Sequence, residues 1–125
     1  MRFKQIGLVL EFNAAHPHIH ALALYVDKYA KGLVGHDLLV TDVSRTPEEY
    51  AALYHQTPYT GPMPHLGPMS RAVDFRTIGE LADPQVHALV EHVNENWKRK
   101  DGKPTALFHD IGSGSHLHIQ VMGDI

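Results

Sequence analysis

Apolar and polar positions change period several times along the chain, and each change marks an element. Residues 5–12, "QIGLVLEF", alternate and are apolar enough for a first strand. From about Pro17 to Ala30 the period lengthens. Ile19, Leu22, Ala23, Val26 and Ala30 fall on one helical face, with Pro17 suited to the first turn and Gly32 to the end. "DLLVTDV", Asp37 to Val43, reads as a second strand. "SRTPEEYAALYHQ" then opens a helix, with Thr46 as N-cap, Pro47 in the first turn and Glu49 completing a capping box.

Pro58, Gly61, Pro62, Pro64, Gly67 and Pro68 interrupt the stretch 57–69, which is therefore a loop. "SRAVDFRT" is a short strand. "DPQVHALVEHVNENWKRK" is a helix capped by Asp83 and started by Pro84, with Val86, Leu89, Val90, Val93 and Trp97 as its buried stripe. "TALFHDIGSGSHLHIQVM" reads as a hairpin, two strands around a Gly-Ser-Gly turn. Helices and strands mix without strict alternation. The expected class is α+β, a small antiparallel sheet packed with helices in one domain spanning residues 1–125.

Composition narrows the chemistry. A net charge of −3 offers no nucleic-acid surface, and the basic run Lys98-Arg99-Lys100 reads as a helix C-terminus. No cysteine is present, which excludes disulfides and thiolate metal sites. The N-terminal apolar run is too short for a membrane span and lacks the h-region of a signal peptide, so no membrane insertion is expected. An excess of 11 histidines points to metal binding, and their scatter along the chain excludes an affinity tag.

The strand "SHLHIQV" places His116, His118 and Gln120 on one face and Leu117, Ile119 and Val121 on the other. Taken alone, the polar set is read as a solvated face. Asp74 alters that reading. An aspartate inside a short strand is disfavoured by propensity, and if buried it needs a partner. His65, on the proline-framed loop, is placed to reach the same point. A zinc enzyme takes three protein ligands and keeps a position open. His65, Asp74 and one of the two hairpin histidines form such a set. No HExxH is present.

Other histidines have plainer readings. His16 and His20, four apart, are a polar helix start before they are a metal pair. His87 and His92 lie off the apolar stripe and are expected in solvent; His36 and His55 are expected at the surface or in loops. Asp42 precedes Arg45 closely enough to orient it. Arg76 either pairs with acidic neighbours or contacts substrate. Tyr59 is expected to pack the loop or line a substrate groove.

"RTPEE", a histidine followed by "RAVDFR", and "HLHIQV", in that order, resemble the M15 family of zinc peptidases over roughly residues 37 to 122. These are D-Ala-D-Ala carboxypeptidases and phage or bacterial peptidoglycan endopeptidases of the Hedgehog-like fold type. The resemblance implies zinc (Zn2+) held by His65, Asp74 and His118. It places His116 beside the ligands and makes Arg45 the group that binds a substrate carbonyl or carboxylate.

Two departures stand out. Eight residues separate His65 from Asp74, longer than the family's usual interval. Ser115, three before His118, stands where cleaving members carry Asp or Glu, and a serine hydroxyl is no base at neutral pH. The hairpin offers substitutes. One turn register sets His109 opposite His116, and another sets Asp110 there.

The expectation is therefore a monomeric zinc metallopeptidase cutting peptidoglycan stem peptides. An endolysin held in a host cytoplasm before reaching the cell wall fits this description. The alternative is a catalytically weakened zinc-binding domain that recognises peptide or cell wall.

Overall fold

The computed structural model describes residues 1–110 and 115–121. In chain order the elements are β1 (Arg2–Phe3), α1 (Ile6–Ala14), α2 (Pro17–Val34), β2 (Leu39–Asp42), α3 (Pro47–Tyr54), β3 (Ala72–Arg76), α4 (Asp83–Asn96), β4 (Ala106–Asp110) and β5 (Ser115–Gln120). The strands form one sheet in the order β1-β2-β3-β5-β4. β1 runs parallel to β2 and every other pair is antiparallel, so the sheet is mixed and the class is α+β.

Two of the expected elements change. The alternating run near the N-terminus is helix α1, because only Leu8 and Phe12, four apart, turn inward, while Ile6 and Leu10 stay exposed. A short apolar run satisfies either period, and here burial decides for the helical one. The edge strand is instead Arg2–Phe3. Helix α2 also continues past Gly32 to Val34, ending where Gly35 takes the left-handed conformation (φ 79°) that glycine adopts without steric cost.

The helix starts are set by local hydrogen bonds. The Thr46 hydroxyl accepts from Glu49 N–H and the Glu49 carboxylate accepts from Thr46 N–H, both at 3.1 Å. α4 is capped at Ala82 and not at Asp83, which lies in the first turn; the Gln85 side chain accepts from Ala82 N–H instead. At α2 the His16 ring accepts from His18 N–H, and His20 bonds the Phe12 carbonyl. These two histidines are thus engaged separately, as parts of a helix start. His92 is not in solvent: its ring stacks on Tyr29 (centroids 3.7 Å apart) and bonds the Tyr25 hydroxyl (2.6 Å), tying α4 to α2.

One sheet face carries the core. Val40, Val73, Phe75, Ala106, Leu117 and Ile119 are buried there against Leu22 and Val26 of α2 and Leu89 and Val93 of α4. Fully burying a side chain of this type contributes about 1.5–3 kcal/mol. The opposite face therefore receives the alternate residues: Ala72, Asp74 and Arg76 of β3, His116, His118 and Gln120 of β5, and Leu107 and His109 of β4.

Asn94 of α4 fastens β4 to the body. Its side-chain oxygen accepts from Thr105 and Ala106 N–H, both at 2.8 Å, and its amide donates to the Ala106 carbonyl. Replacing Asn94 by Ala leaves these backbone groups without that partner. The expected cost is about 1–3 kcal/mol in urea denaturation; a change below a few tenths would show that β4 is held by packing alone.

Candidate metal centre

Three strands and one loop bring the site together. Pairing of β3 with β5 sets Asp74 opposite His118 and Arg76 opposite His116. The loop before β3 is tied to the segment after β2 by a parallel bridge between Arg45 and Leu66, with Arg45 N–H donating to the His65 carbonyl at 2.7 Å. Gly67 permits this approach, since a Cβ there would stand 3.0 Å from the Ser44 Cβ. The Tyr50 hydroxyl of α3 accepts from His65 N–H at 2.7 Å. Burial pushes that hydroxyl up to about 12, against the pull of the His65 bond and of Arg45, so it stays a neutral phenol.

His65, Asp74 and His118 are all buried and converge. Their ligand atoms form a triangle: His65 Nε2 to Asp74 Oδ1 is 3.2 Å, His118 Nδ1 to Asp74 Oδ1 is 2.8 Å, and His65 Nε2 to His118 Nδ1 is 3.3 Å. The outer nitrogens determine what these atoms carry. His65 Nδ1 lies 2.8 Å from the Val43 carbonyl, which only accepts, so Nδ1 bears the proton and Nε2 a lone pair. His118 Nε2 lies 2.7 Å from the Gln120 side-chain oxygen; with Nε2 donating there, Nδ1 bears a lone pair toward Asp74 Oδ1, 2.8 Å away.

Two imidazole lone pairs and a carboxylate oxygen therefore face one point, an arrangement that repels itself unless a cation sits among them. Metal bonds of about 2.0–2.1 Å separate two donors by about 3.3 Å at the tetrahedral angle and about 2.9 Å at a right angle. The triangle's edges span this range. The group is thus able to hold a metal ion, with nitrogen and oxygen donors and no sulfur.

The surroundings compensate a buried anion. Burial raises the carboxyl of Asp74; a proton on His65 or His118 facing it, or a cation in its place, is what holds the group well below the usual carboxylate range. Arg45 Nη2 lies 2.6 Å from Asp42 Oδ2 and 3.3 Å from Asp74 Oδ2, and its guanidinium stands over the Tyr50 ring. A shift of register in the pairing of β2 with β3 sets Asp42 opposite Asp74, so Arg45 separates two carboxylates. Burial raises the carboxyl of Asp42 above its ordinary value, with the Arg45 guanidinium pulling against it. His116 Nε2 lies 3.5 Å from Asp74 Oδ2, the oxygen turned away from the triangle.

The hairpin register sets His109 opposite His116, and Asp110 opposite Ser115. Asp110 is therefore not the partner of His116. The Gly-Ser-Gly turn itself lies outside the described residues. The His109 ring is 4.8 Å from that of His116 and 5.5 Å from that of His118, and burial, then these neighbours, lower its pKa.

Two clefts meet at the triangle. A polar one of about 540 Å³ is lined by Arg45, Asp74, Arg76, Ser115 and His116 among others. An aromatic one of about 200 Å³ is lined by Tyr50, Tyr54, Tyr59, His65, His109 and His118 among others. Tyr59 stacks with both Tyr50 and Tyr54 at 5.2 Å, so it packs the loop and lines the cleft at once.

Residues 116, 118 and 120 were legible as one polar face, but the task of Gln120 was not. Its signal was the alternation itself, which continues one step past the second histidine. Nothing in the sequence pointed to Tyr50 or to the Val43 carbonyl. No protein-family model, curated protein or solved structure matches the chain. Among the described residues no helix is long and apolar enough to cross a membrane.

Metal-free protein titrated with Co2+ should bind one equivalent and gain thermal stability, by about 2.7 kcal/mol at a hundredfold excess over Kd. Protons compete for the two imidazole lone pairs, so binding should weaken as the pH falls through the histidine range. His118→Ala should remove the tight equivalent. Retained stoichiometric binding in that variant would place the metal elsewhere.

Proposed function

We propose that the protein is a zinc metallopeptidase acting on peptide bonds of bacterial peptidoglycan stem peptides, in the manner of a phage endolysin. The convergence of three lone pairs from His65, Asp74 and His118 at the meeting point of two clefts carries this reading. Three protein ligands with access from a cleft suit a catalytic rather than a structural zinc. The ordered resemblance of "RTPEE", "RAVDFR" and "HLHIQV" to M15 peptidases supports the substrate class.

When bound, the zinc supplies a Lewis acid that polarises the scissile carbonyl and acidifies water. Arg45 orients the substrate: Nη2 makes both of its carboxylate contacts, and the donors on Nε and Nη1 are not used by these pairs. A guanidinium so placed binds a carbonyl or carboxylate oxygen and stabilises charge that develops there. His116 Nε2 stands beside the outer oxygen of Asp74, 3.5 Å away. Tyr50, Tyr54 and Tyr59 form an aromatic wall for the peptide.

Ser115 cannot carry the proton from water to the leaving amine. We assign that task to His109, which faces the same cleft as the ligands and lies against His116. Asp110, the cross-strand partner of Ser115, is the competing candidate. A second reading, a zinc-binding domain that recognises cell-wall peptide without cleaving it, is favoured by Ser115 alone.

Zinc-loaded protein should release new amino and carboxyl termini from purified peptidoglycan, read by mass spectrometry. Arg45→Ala should lower kcat/KM by about 10²–10³. His109→Ala should lower kcat by about 10²–10⁴ with zinc content intact. A comparable loss in Asp110→Asn, with His109→Ala unaffected, would transfer the base to Asp110. Binding of stem peptide without cleavage under zinc-replete conditions would leave the recognition domain as the correct reading.

A further inference from the structure

Arg76 ends β3 two residues beyond Asp74, on the same face of the sheet and opposite His116. It is exposed in the polar cleft, as is Lys4 across from it on the chain leaving β1. Among the described residues neither cation forms an ion pair. The acids of the same cleft are engaged internally. Asp42 pairs with Arg45, Asp74 faces the triangle, and the Glu49 carboxylate accepts from Thr46 N–H. The two unengaged groups at the rim are thus positive, and a metal in the triangle would add to that field.

We propose that Arg76 and Lys4 form a carboxylate-binding subsite that selects anionic stem peptides; this rests on the peptidase reading above. Arg76 stands two residues, about 6.6–6.8 Å, along β3 from Asp74, and its long side chain spans the distance to an acid carried on the residue next to a scissile carbonyl held at the triangle. In stem peptides the γ-linked D-glutamate carries a free α-carboxylate beside the L-alanine–D-glutamate bond, and it is this acid that the guanidinium fork would take. Amidation of that carboxylate removes the charge and keeps the shape.

The test uses the zinc-loaded chain and two synthetic peptides, L-Ala-γ-D-Glu-L-Lys-D-Ala-D-Ala and its D-isoglutamine counterpart. Binding is followed by calorimetry and cleavage by mass spectrometry, in wild type, Arg76→Gln and Lys4→Ala. The acid peptide should bind about tenfold more tightly than the amide, equivalent to about 1.4 kcal/mol. Arg76→Gln should bring the ratio close to one, Lys4→Ala should reduce it, and raised salt should reduce it in wild type. Equal binding of the two peptides by wild type, no binding of either, or a ratio that survives in both variants would overturn the subsite. Arg76-dependent preference for the acid without cleavage would keep the subsite and overturn the peptidase reading. Cleavage of both peptides with no preference would do the reverse.

Discussion

A carboxylate buried in the middle of a sheet is the constraint around which the site is organised. Asp74 is 2% exposed, and an unpaired charge at such a depth is not sustainable in a folded protein. Several nearby elements converge on it. The loop delivers His65, β5 delivers His118 and His116, and the segment after β2 delivers Arg45. The two oxygens are treated differently: Oδ1 faces two imidazole lone pairs, and Oδ2 faces a guanidinium and His116. That division leaves Oδ1 as the anionic corner of a metal triangle, while Oδ2 accepts from Arg45.

The same logic explains the outer contacts. Fixing the imidazole protons away from Asp74 requires acceptors behind each ring, and the protein uses one backbone carbonyl and one side-chain amide for this. The Val43 carbonyl also accepts from the Ser70 hydroxyl at 2.6 Å, which ties the base of the loop to the strand that supports His65. Removing a ligand and removing a proton-holding group should therefore weaken the site by different routes.

Much of this was legible in the sequence, and the reasons are particular. Alternation placed Leu117 and Ile119 in the core and His116 and His118 on the opposite face, and the strand pairing keeps that division, but both histidines are buried as well and do not form a solvated face. Asp74 was conspicuous because strands disfavour aspartate, and the capping box at Thr46 and Glu49 formed as its spacing indicated. The N-terminal run misled because Ile6, Leu8, Leu10 and Phe12 alternate, while tertiary packing uses only the pair four apart. The hairpin register was open because a glycine-rich turn admits two centres one residue apart, and the cross-strand neighbours of His116 and Ser115 depend on which is taken. A backbone carbonyl such as that of Val43 carries no sequence signature at all.

The claim that one cation is shared by His65 Nε2, His118 Nδ1 and Asp74 Oδ1 is tested most directly by long-range ¹H–¹⁵N correlation spectra of the histidine rings, without metal and with one equivalent of zinc. At a pH where both rings are neutral, the metal-free protein should carry its protons on His65 Nδ1 and His118 Nε2, and zinc should shift the resonances of His65 Nε2 and His118 Nδ1. Protons on the opposite nitrogens, or zinc shifts confined to other histidines, would contradict the account.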